Sequence, residues 1–440
     1  MQMTAETVSY RQSLEGAKSA NRRCEPDFVT AFRKAAQARF GEVRFPTRKT
    51  ELFKYMDLDF LDRAFVHTDT DLREYNVEAL KRKGVGQGPG IHQVFLNGVF
   101  AAALSTQLKG KGVEFSTLSS ALQAHAGTLR GSFEAPVAQE TDPFVLINAA
   151  QFDDGAFLLI KENTHVEETI HYWFLSVGDH VAPAVYYPRN VFVLQKGAKA
   201  RIVLHAMALA QSMVWMNMAS EFHLADGAEL EVVNLQEPER NTLLFHSQRA
   251  VLGEASRWNY ESTLWGGAVT RNETQVRFTK PKASVSLKAL AILQDASQSF
   301  NHVQVHHAVP ECQSRQLYKN ILSGKSVSEF SGLVHVYRGA DKSDSDQLNR
   351  NLVLSEDAKA YSRPQLKIDA DDVKCTHGAT VGQLQQNELF YLKSRGIPEA
   401  QARALLTFGF AEEVIESLEP AELRRSLEAG VKIQLANIEA

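Results

Sequence analysis

The sequence has few cysteines, no long apolar run and almost no surplus of charge. Its three cysteines, Cys24, Cys312 and Cys375, are too few and too widely spaced for a disulfide framework or a zinc site. No window approaches the roughly 20 apolar residues of a membrane-spanning helix. The net charge of −4 offers no basic surface to nucleic acid, and residues 1–6 lack the features of a secretory signal. These absences predict a cytoplasmic protein that binds neither membranes nor nucleic acids.

Three regions of the chain differ in texture. The 440 residues are 44% hydrophobic, which is enough for a large core and more than one domain. Short apolar runs bounded by turn residues make the chain β-rich from about 143 onwards. We predict an N-terminal, mostly helical domain over 1–140, a β domain over 141–382 and a C-terminal helical domain over 383–440.

Two local patterns stand out in the N-terminal region. Phe28, Phe32 and Phe40 follow helical spacing, which predicts a helix with these rings on one face. Asn97 and Gly98 separate two apolar runs, and this dipeptide is typical of the turn of a β-hairpin.

The β-rich region repeats along its length. Small residues stand after a turn and before a strand-like run at Ala198, Ala228, Ala255, Ala283, Cys312 and Ala340, with gaps of 30, 27, 28, 29 and 28. A fixed period of about 20–50 residues is typical of stacked repeats, and with strand texture it predicts a β-solenoid. Each coil would bury its inward residues against its neighbours, leaving the end coils as edges that need cover. A β-sandwich is the weaker alternative.

The C-terminal region carries two helical stripes. The first comprises Leu405, Leu406, Phe410, Val414 and Leu418 and has Pro398 near its start; the second follows Pro420 and comprises Leu423, Leu427, Val431 and Leu435. We expect these helices to cap the end of the solenoid and to present a docking face.

Cys375 and His377 are the most informative candidate site. They lie two residues apart in a short apolar run, so in a strand their side chains point to the same face. That places a thiol and an imidazole, two ligand types for soft metals, on one surface. The spacing by itself is a weak pattern, because free cysteine is often a small buried apolar residue.

A histidine cluster is a second candidate for metal binding. His302 and His306 share one face of a predicted strand, and His307 points the other way. No third ligand can be identified from the sequence, and ligand number is what specifies a metal site. We therefore favour a structural role, with these side chains hydrogen-bonded to neighbouring coils.

Two further motifs fail as catalytic sites. The segment 323–326, Ser-Gly-Lys-Ser, resembles the end of a phosphate-binding loop, but Lys319 stands where that loop needs glycine. Asp371 and Asp372 are adjacent, so in a strand they face opposite ways and do not flank one glycosidic bond.

Several separated segments, in a fixed order, carry a family resemblance. They are Pro46, Arg48, Glu51, Phe53, Lys54 and Tyr55; Asn148-Ala149-Ala150 with Asp154-Gly155; His307-Ala308-Val309-Pro310 followed by Ser314, Lys319 and Gly324; and the run from Val373 to Gly382, followed by Phe390-Tyr391-Leu392-Lys393-Ser394-Arg395-Gly396. Together they resemble the SufB/SufD family of the Suf iron–sulfur cluster assembly machinery, over most of the chain.

The resemblance implies a fold and a set of partners. The family fold is a right-handed parallel β-helix with helical regions at both ends. The implied assembly is a SufB–SufD heterodimer carrying two copies of the ATPase SufC, with a homodimer as an alternative for the isolated chain. The chain itself would be a non-catalytic scaffold, and the ATPase activity would reside in SufC.

The resemblance also implies site residues. His377 maps onto the histidine at the nascent cluster site, shared with SufB, and Cys375 is its neighbour. His377 would be a metal ligand only together with SufB, so the iron–sulfur cluster would be transient and not held by this chain alone. The SufC-docking region would include Phe390, Tyr391, Arg395, Gly396, Leu406 and Phe410.

Within the family, this chain resembles the SufD branch. SufB has Glu-Ala where Gly378 and Ala379 stand here, and its cluster cysteine falls at or near Asn349, where this chain has no thiol. Thiolates suit iron–sulfur clusters, and one imidazole can complete the set.

Three other functions remain open at this stage. A brace for SufB that contributes no ligand is the strongest of them. A β-helix carbohydrate-active enzyme rests on fold analogy alone. A subunit of an ABC-type exporter would need a membrane span that the sequence lacks.

Overall fold

Two parallel β-sheets face each other across one apolar interior and form a β-solenoid of about seven turns. Helices precede and follow it, so the predicted fold class, mainly β with a parallel β-helix core and helical flanks, is confirmed. Cys24 lies outside the described part of the chain. The computed structural model describes residues 25–43, 45–66, 70–106, 112–134, 137–178, 182–210 and 212–439.

The first sheet has ten strands. They are β1 (Ile91–Leu96), β2 (Val99–Phe100), β5 (Ile170–Ser176), β8 (Lys199–Ala208), β10 (Glu229–Glu237), β12 (Arg257–Trp265), β14 (Ser284–Leu293), β16 (Gln313–Leu322), β18 (Ser343–Val353) and β20 (Val373–Gly382). They lie in the order β2-β1-β5-β8-β10-β12-β14-β16-β18-β20. Only the β1–β2 hairpin is antiparallel.

The second sheet also has ten strands. They are β3 (Val113–Thr117), β4 (Ala156–Ile160), β6 (Ala184–Tyr186), β7 (Arg189–Leu194), β9 (Val214–Leu224), β11 (Thr242–Leu252), β13 (Val269–Phe278), β15 (Gln298–His307), β17 (Val327–Val336) and β19 (Lys359–Ile368). They lie in the order β19-β17-β15-β13-β11-β9-β7-β4-β3, with β6 beside β9.

Five helices precede the main run of coils and three follow it within the described residues. They are α1 (Asp27–Val43), α2 (Val77–Arg82), α3 (Leu118–Ala124), α4 (Ala126–Glu134), α5 (Pro143–Gln151), α6 (Gln386–Ser394), α7 (Glu399–Ile415) and α8 (Ala421–Glu439). Short 3-10 helices occupy Glu51–Phe53, Asp59–Asp62, Leu72–Glu74, Ala102–Leu104 and Val137–Gln139.

Neighbouring parallel strands pair in register, so an interior residue of one coil stacks directly on the equivalent residue of the next coil. Ile202, Val232 and Tyr260 stand in register on β8, β10 and β12, and all three are buried. Alternate residues of each strand point into the interior, so every second residue of a strand is an interior residue in every coil. The opposite residues, such as Val203 and Val233, face outward and need other cover.

The repeat predicted from small residues is correct at five positions and one residue out of register at the sixth. At each corner a residue with positive φ precedes a small buried one: Gly197-Ala198, Gly227-Ala228, Ala255-Ser256, Lys282-Ala283, Glu311-Cys312 and Gly339-Ala340. Ala255 is therefore the exposed turn residue, with φ of 49°, and Ser256 fills the corner. A left-handed residue turns the chain so sharply that only a small side chain fits behind it.

The two N-terminal predictions are confirmed. Phe28, Phe32 and Phe40 are buried on α1. Asn97 and Gly98 have φ of 50° and 83° in the turn between β1 and β2, as a two-residue hairpin turn requires.

The β-rich texture begins later than predicted. Residues from 143 form α5, because the Asp142 side chain accepts a hydrogen bond from the Phe144 amide at 2.8 Å and Pro143 occupies the first turn. A fully apolar run does not distinguish strand from buried helix, so the cap decides. The first solenoid strand after this helix is β4.

The C-terminal helices cover a flank of the solenoid and not its end, so the predicted cap is wrong. Outward-facing Trp265, Leu290 and Ile292 pack with Val414 of α7 and Val431 of α8. These outer faces carry too much apolar surface to remain in water. The last strands β19 and β20 are left largely exposed.

The helical stripes are confirmed with one exception. Leu427, Val431 and Leu435 are buried on α8, as predicted. On α7, Val414 is buried but Leu405 is 49% exposed. In the described residues, no helix has both the length and the hydrophobicity to cross a membrane.

We expect Phe222→Ala to lower the free energy of unfolding by about 3–5 kcal/mol, because it opens a cavity in the interior. Phe222 is fully buried, and its ring centroid lies 5.2 Å from that of Phe192 and 5.1 Å from that of Trp258. Urea unfolding measures the change. The control Val381→Ala, at a residue 55% exposed, should change stability by about 0.5 kcal/mol or less. Equal effects of the two variants would contradict the assigned interior.

Candidate functional site

The predicted pair Cys375 and His377 lies on β20, the last strand of the first sheet. β20 pairs with β18 on one side, with Cys375 beside Ser345 and His377 beside Gln347. No strand of the described chain pairs with its other side. The pair therefore lies at an open sheet edge, where backbone donors and acceptors are available to another chain.

Cys375 and His377 share the inward face of β20. Their β18 neighbours Ser345 and Gln347 are buried in the interior, and Cys375 packs against the apolar core. Cys375 is half-buried, whereas His377 is exposed. Burial raises the pKa of the Cys375 thiol. The two groups thus stand at the mouth of the solenoid interior.

The interior behind this mouth becomes polar. The His307 Nε2 atom lies 2.9 Å from the Ser314 hydroxyl, which donates to the Ser345 hydroxyl at 2.9 Å. The Gln347 side-chain amide nitrogen Nε2 donates to the Gln316 side-chain oxygen Oε1 at 3.0 Å. These bonds run from coil to coil and end directly behind β20.

Sequence reasoning missed this polar ladder on β18. Its inward residues are Ser343, Ser345, Gln347, Asn349 and Asn351, all buried. The signal was present, because polar residues fill every inward position from Ser343 to Asn351, whereas the other inner strands also carry apolar residues on that face. Such a strand indicates an interior that hydrogen-bonds to itself.

The other terminal strand, β19, is braced by the N-terminal region. Tyr55 stacks on Tyr361 with ring centroids 3.6 Å apart. The Arg363 guanidinium bonds to Glu51 from one side and lies 3.3 Å from the Glu329 carboxylate on the other. Pro364 lacks an amide hydrogen, which a strand tolerates at a sheet edge. The solenoid end is therefore held in shape although it is uncovered.

The histidine cluster does not form one site. His302 and His306 face outward from β15 together, as predicted, and His307 faces inward. His302 Nδ1 lies 3.2 Å from the Arg271 guanidinium, and His306 Nδ1 lies 3.1 Å from the Tyr337 hydroxyl. Across the described ranges, no three His, Cys, Asp or Glu side chains are placed to hold a metal ion.

The two weak motifs lie in solenoid turns. Gly324, with φ of 64°, forms the corner between β16 and β17, so segment 323–326 opens no helix. Asp371 and Asp372 form the bend before β20 and are not part of the strand.

The six residues predicted to dock a partner fall into two groups. On α6, Phe390 and Tyr391 are 74% and 56% exposed. The Arg395 guanidinium lies 5.3 Å from the Tyr391 ring, and Gly396, with φ of 85°, ends the helix. Leu406 and Phe410 on α7 are only half-buried.

Phe410 belongs to a charged clamp that fastens α7 to the solenoid. Lys319 of β16 donates to the Phe410 carbonyl oxygen at 2.8 Å and hydrogen-bonds to the Glu413 carboxylate. Arg350 of β18 donates to the same carboxylate at 3.1 Å. Burial lowers the pKa of Lys319, and the hydrogen bond to Glu413 opposes that shift. Because Lys319 and Arg350 are register neighbours, one carboxylate ties the helix to two strands.

Comparisons with known proteins match both halves of this chain. Residues 175–410 match the family described as "SUF system FeS cluster assembly, SufBD core domain", and residues 5–172 match the "SufBD protein N-terminal region". The chain belongs to the SufBD family. Membership carries a role in iron–sulfur cluster assembly and confirms the predicted resemblance.

Individual relatives agree along most of their length. An iron–sulfur cluster assembly SufBD family protein of Synechocystis sp. is 28% identical over 411 residues, covering 92% of this chain and 90% of that protein. The iron–sulfur cluster assembly protein SufD of Escherichia coli is 27% identical over 390 residues, 88% of each chain. SufD of Bacillus subtilis is 25% identical over 339 residues, covering 76% of this chain and 75% of that protein.

Asn349, the position compared with the cysteine of SufB, has a structural role in this SufBD family member. It is fully buried on β18, donates to the Tyr318 carbonyl at 3.1 Å and accepts from the Asn351 amide at 2.8 Å. On the neighbouring strand it pairs with Ala379, two residues beyond His377. These hydrogen bonds place the Asn349 amide in the interior, one strand in from the sheet edge.

We expect Glu413→Gln to loosen α7 by about 1–2 kcal/mol, because the buried Lys319 ammonium loses its charged partner, while the partial exposure of Glu413 limits the effect. Hydrogen exchange of the amides of Glu399–Ile415 measures this. Glu412→Gln, at the exposed neighbouring position, is the matched control. Equal exchange in both variants would show that the clamp does not hold the helix.

Proposed function

We propose that this chain is the SufD-type scaffold subunit of a cytoplasmic SufBCD complex. In this proposal SufB pairs with the open edge formed by β19 and β20, and SufC docks on α6 and α7. The observation that carries the proposal is the exposed His377 beside Cys375 on an unpaired parallel edge. An edge strand of this kind takes another strand by backbone hydrogen bonds, and its side chains then lie beside those of the added strand.

The nascent cluster site is proposed to lie at that edge and to be shared. A cluster is held by four ligands, mostly thiolates, and β20 offers one imidazole and one thiol. SufB would supply the remaining ligands, so the cluster is transient cargo of the complex and this chain alone binds none stably. His377 would act as a ligand or as a proton acceptor beside the cluster.

The role of Cys375 in this proposal is secondary. Its half-buried side chain packs against the interior, and its raised pKa keeps the thiol protonated near neutral pH. A protonated thiol is a poor metal ligand until a metal or a cation displaces the proton. Packing behind His377 accounts for its position as well as ligation does.

ATP hydrolysis is assigned to SufC, and this chain is proposed to be non-catalytic. Exposed Phe390 and Tyr391 on α6 present an aromatic surface of the kind that anchors protein interfaces. The Glu413 clamp connects α7 to β16 and β18, and β18 is the strand that carries β20. A movement of the docked ATPase would therefore be transmitted from α7 to β18, and so to the proposed site on β20, through the ion pairs of Glu413.

A brace without a ligand is the second candidate. The His377 imidazole has no hydrogen-bond partner within the described part of the chain, whereas metal-binding histidines usually have their second ring nitrogen held by another group. That observation favours a purely structural role, in which the edge strand β20 pairs with SufB and contributes no metal ligand. An isolated homodimer through the same edge would be a further consequence of this surface.

We expect His377→Ala to leave the complex intact but to lower its iron and acid-labile sulfide several-fold. The chain is co-expressed with SufB and SufC, and complex recovery, iron and sulfide are measured. Lys374→Ala is the control, because Lys374 is exposed on the opposite face of the same strand.

The outcomes separate the candidates. Unchanged iron and sulfide in His377→Ala would leave the brace as the function. Failure of the wild-type chain to form a complex would overturn the proposed partners.

We expect Phe390→Asp to weaken SufC binding at least tenfold, because it removes an apolar anchor and adds a charge to the interface. Co-purification with SufC and SufB measures the effect, and SufB should be retained. Glu388→Ala, an exposed residue on the same helix, is the matched control. Retention of SufC by Phe390→Asp would move the docking surface away from α6.

A further inference from the structure

A cleft of about 420 Å³ lies between the outer face of the second sheet and two N-terminal segments, residues 52–53 and 139–142. Small-ligand sites in proteins commonly have volumes of about 300–1,000 Å³. Its floor is formed by the outward side chains of β11, β13, β15, β17 and β19. It shares no lining residue with β20, so it is separate from the proposed cluster site.

The cleft is lined by three arginines and three carboxylates of the described chain, and one of the arginines has no carboxylate partner there. Arg249 lies 2.9 Å from both the Glu140 and the Glu273 carboxylates, and Arg271 pairs with Asp142. Arg277, exposed at the rim, has no carboxylate within ion-pair distance in the described ranges of the chain. Arg277 is therefore the group at the rim of the cleft that is free to bind an anionic group.

Four polar atoms of the cleft lining are buried without a hydrogen-bond partner in the described chain: Arg249 Nη1, Arg271 Nε, Glu273 Oε2 and His302 Nε2. Two of them, the Arg271 Nε–H donor and the Glu273 Oε2 oxygen, lie on one strand, on side chains that are 3% and 7% exposed. Buried polar groups in proteins are nearly always hydrogen-bonded. Because the two residues are two apart on β13, both atoms belong to the same face of the sheet. A hydroxyl group is at once a donor and an acceptor, so it suits both.

Neutral amides lie between these atoms and the free arginine. Gln275 stands between Glu273 and Arg277 on the same face of β13, and Gln304 is its register partner on β15. The backbone positions of Glu273 and Arg277 are about 13 Å apart along the strand. The space above the sheet between the Glu273 and Arg277 side chains is therefore large enough for a small polar molecule.

We propose that this cleft binds a small hydroxycarboxylate, an anion that carries carboxylate groups and a hydroxyl. A carboxylate is held by Arg277 and the flanking amides, and the hydroxyl lies between Arg271 and Glu273. Arginine is the preferred partner of carboxylates because its planar donors match them in pairs. The proposal does not depend on the assembly role described above.

Titration calorimetry of the full chain with citrate tests the proposal, and tricarballylate is the matched probe because it has the same three carboxylates without the hydroxyl. We expect the wild-type chain to bind citrate about tenfold more tightly than tricarballylate. Arg277→Gln should weaken citrate binding at least tenfold, because the unpaired cation is lost. Gln304→Glu should do the same by adding a negative charge.

The control Arg257→Gln removes an exposed arginine of the other sheet and should leave citrate binding unchanged. Urea unfolding midpoints equal to that of the wild-type chain show that the variants fold. Absence of citrate binding, or equal binding by Arg277→Gln and the wild-type chain, overturns the proposal and leaves the cleft to water. Equal affinity for citrate and tricarballylate overturns the role given to Arg271 and Glu273.

Discussion

Parallel stacking of strands in exact register is the constraint on which the rest of this structure depends. Each coil satisfies its backbone hydrogen bonds and buries its inward side chains only through the coils on either side. At the start, the hairpin of β1 and β2 and the antiparallel strand β3 end the two sheets. At the other end, β19 and β20 have no successor in the described chain. The surface proposed to meet SufB is thus a consequence of where the stacking stops.

The outer faces of the coils impose a second requirement. Because side chains alternate, a strand that is apolar inward and outward must be covered on both sides. The N-terminal helices pack on the second sheet, where Trp215, Phe245 and Phe300 face out, and the C-terminal helices pack on the first. This division leaves the solenoid end free. Glu413 then joins the first sheet to α7 through charge, at a position close to the strand that carries β20.

Polar residues line the interior along the solenoid and reach the coil where the stacking ends. In the middle of the solenoid, buried amides such as Asn234 and Gln248 lie among apolar side chains such as Phe222, Trp258 and Leu287. Behind β20 the interior is formed by Ser345, Gln347 and their partners. Hydrogen-bonded amides and hydroxyls tolerate contact with water that an apolar layer would not. The terminal coil can therefore stay open before a partner arrives.

The sequence by itself determined the type of fold and the identity of the candidate pair. A period near 28 residues, strand-like runs and small corner residues require a stacked β architecture, and the two-residue spacing of Cys375 and His377 places both on one face. The sequence misplaced one corner by a residue, because Ala255 and Ser256 are both small and either could occupy the turn or the corner behind it. The sequence also missed helix α5, because a fully apolar run shows neither the periodicity of a helix nor that of a strand. Only the tertiary structure decided that the helices cover flanks and not the end, since both choices bury the same stripes. It also decided which charged residues meet, because Lys319, Arg350 and Glu413 are brought together by packing between distant segments, and no local pattern encodes that distance.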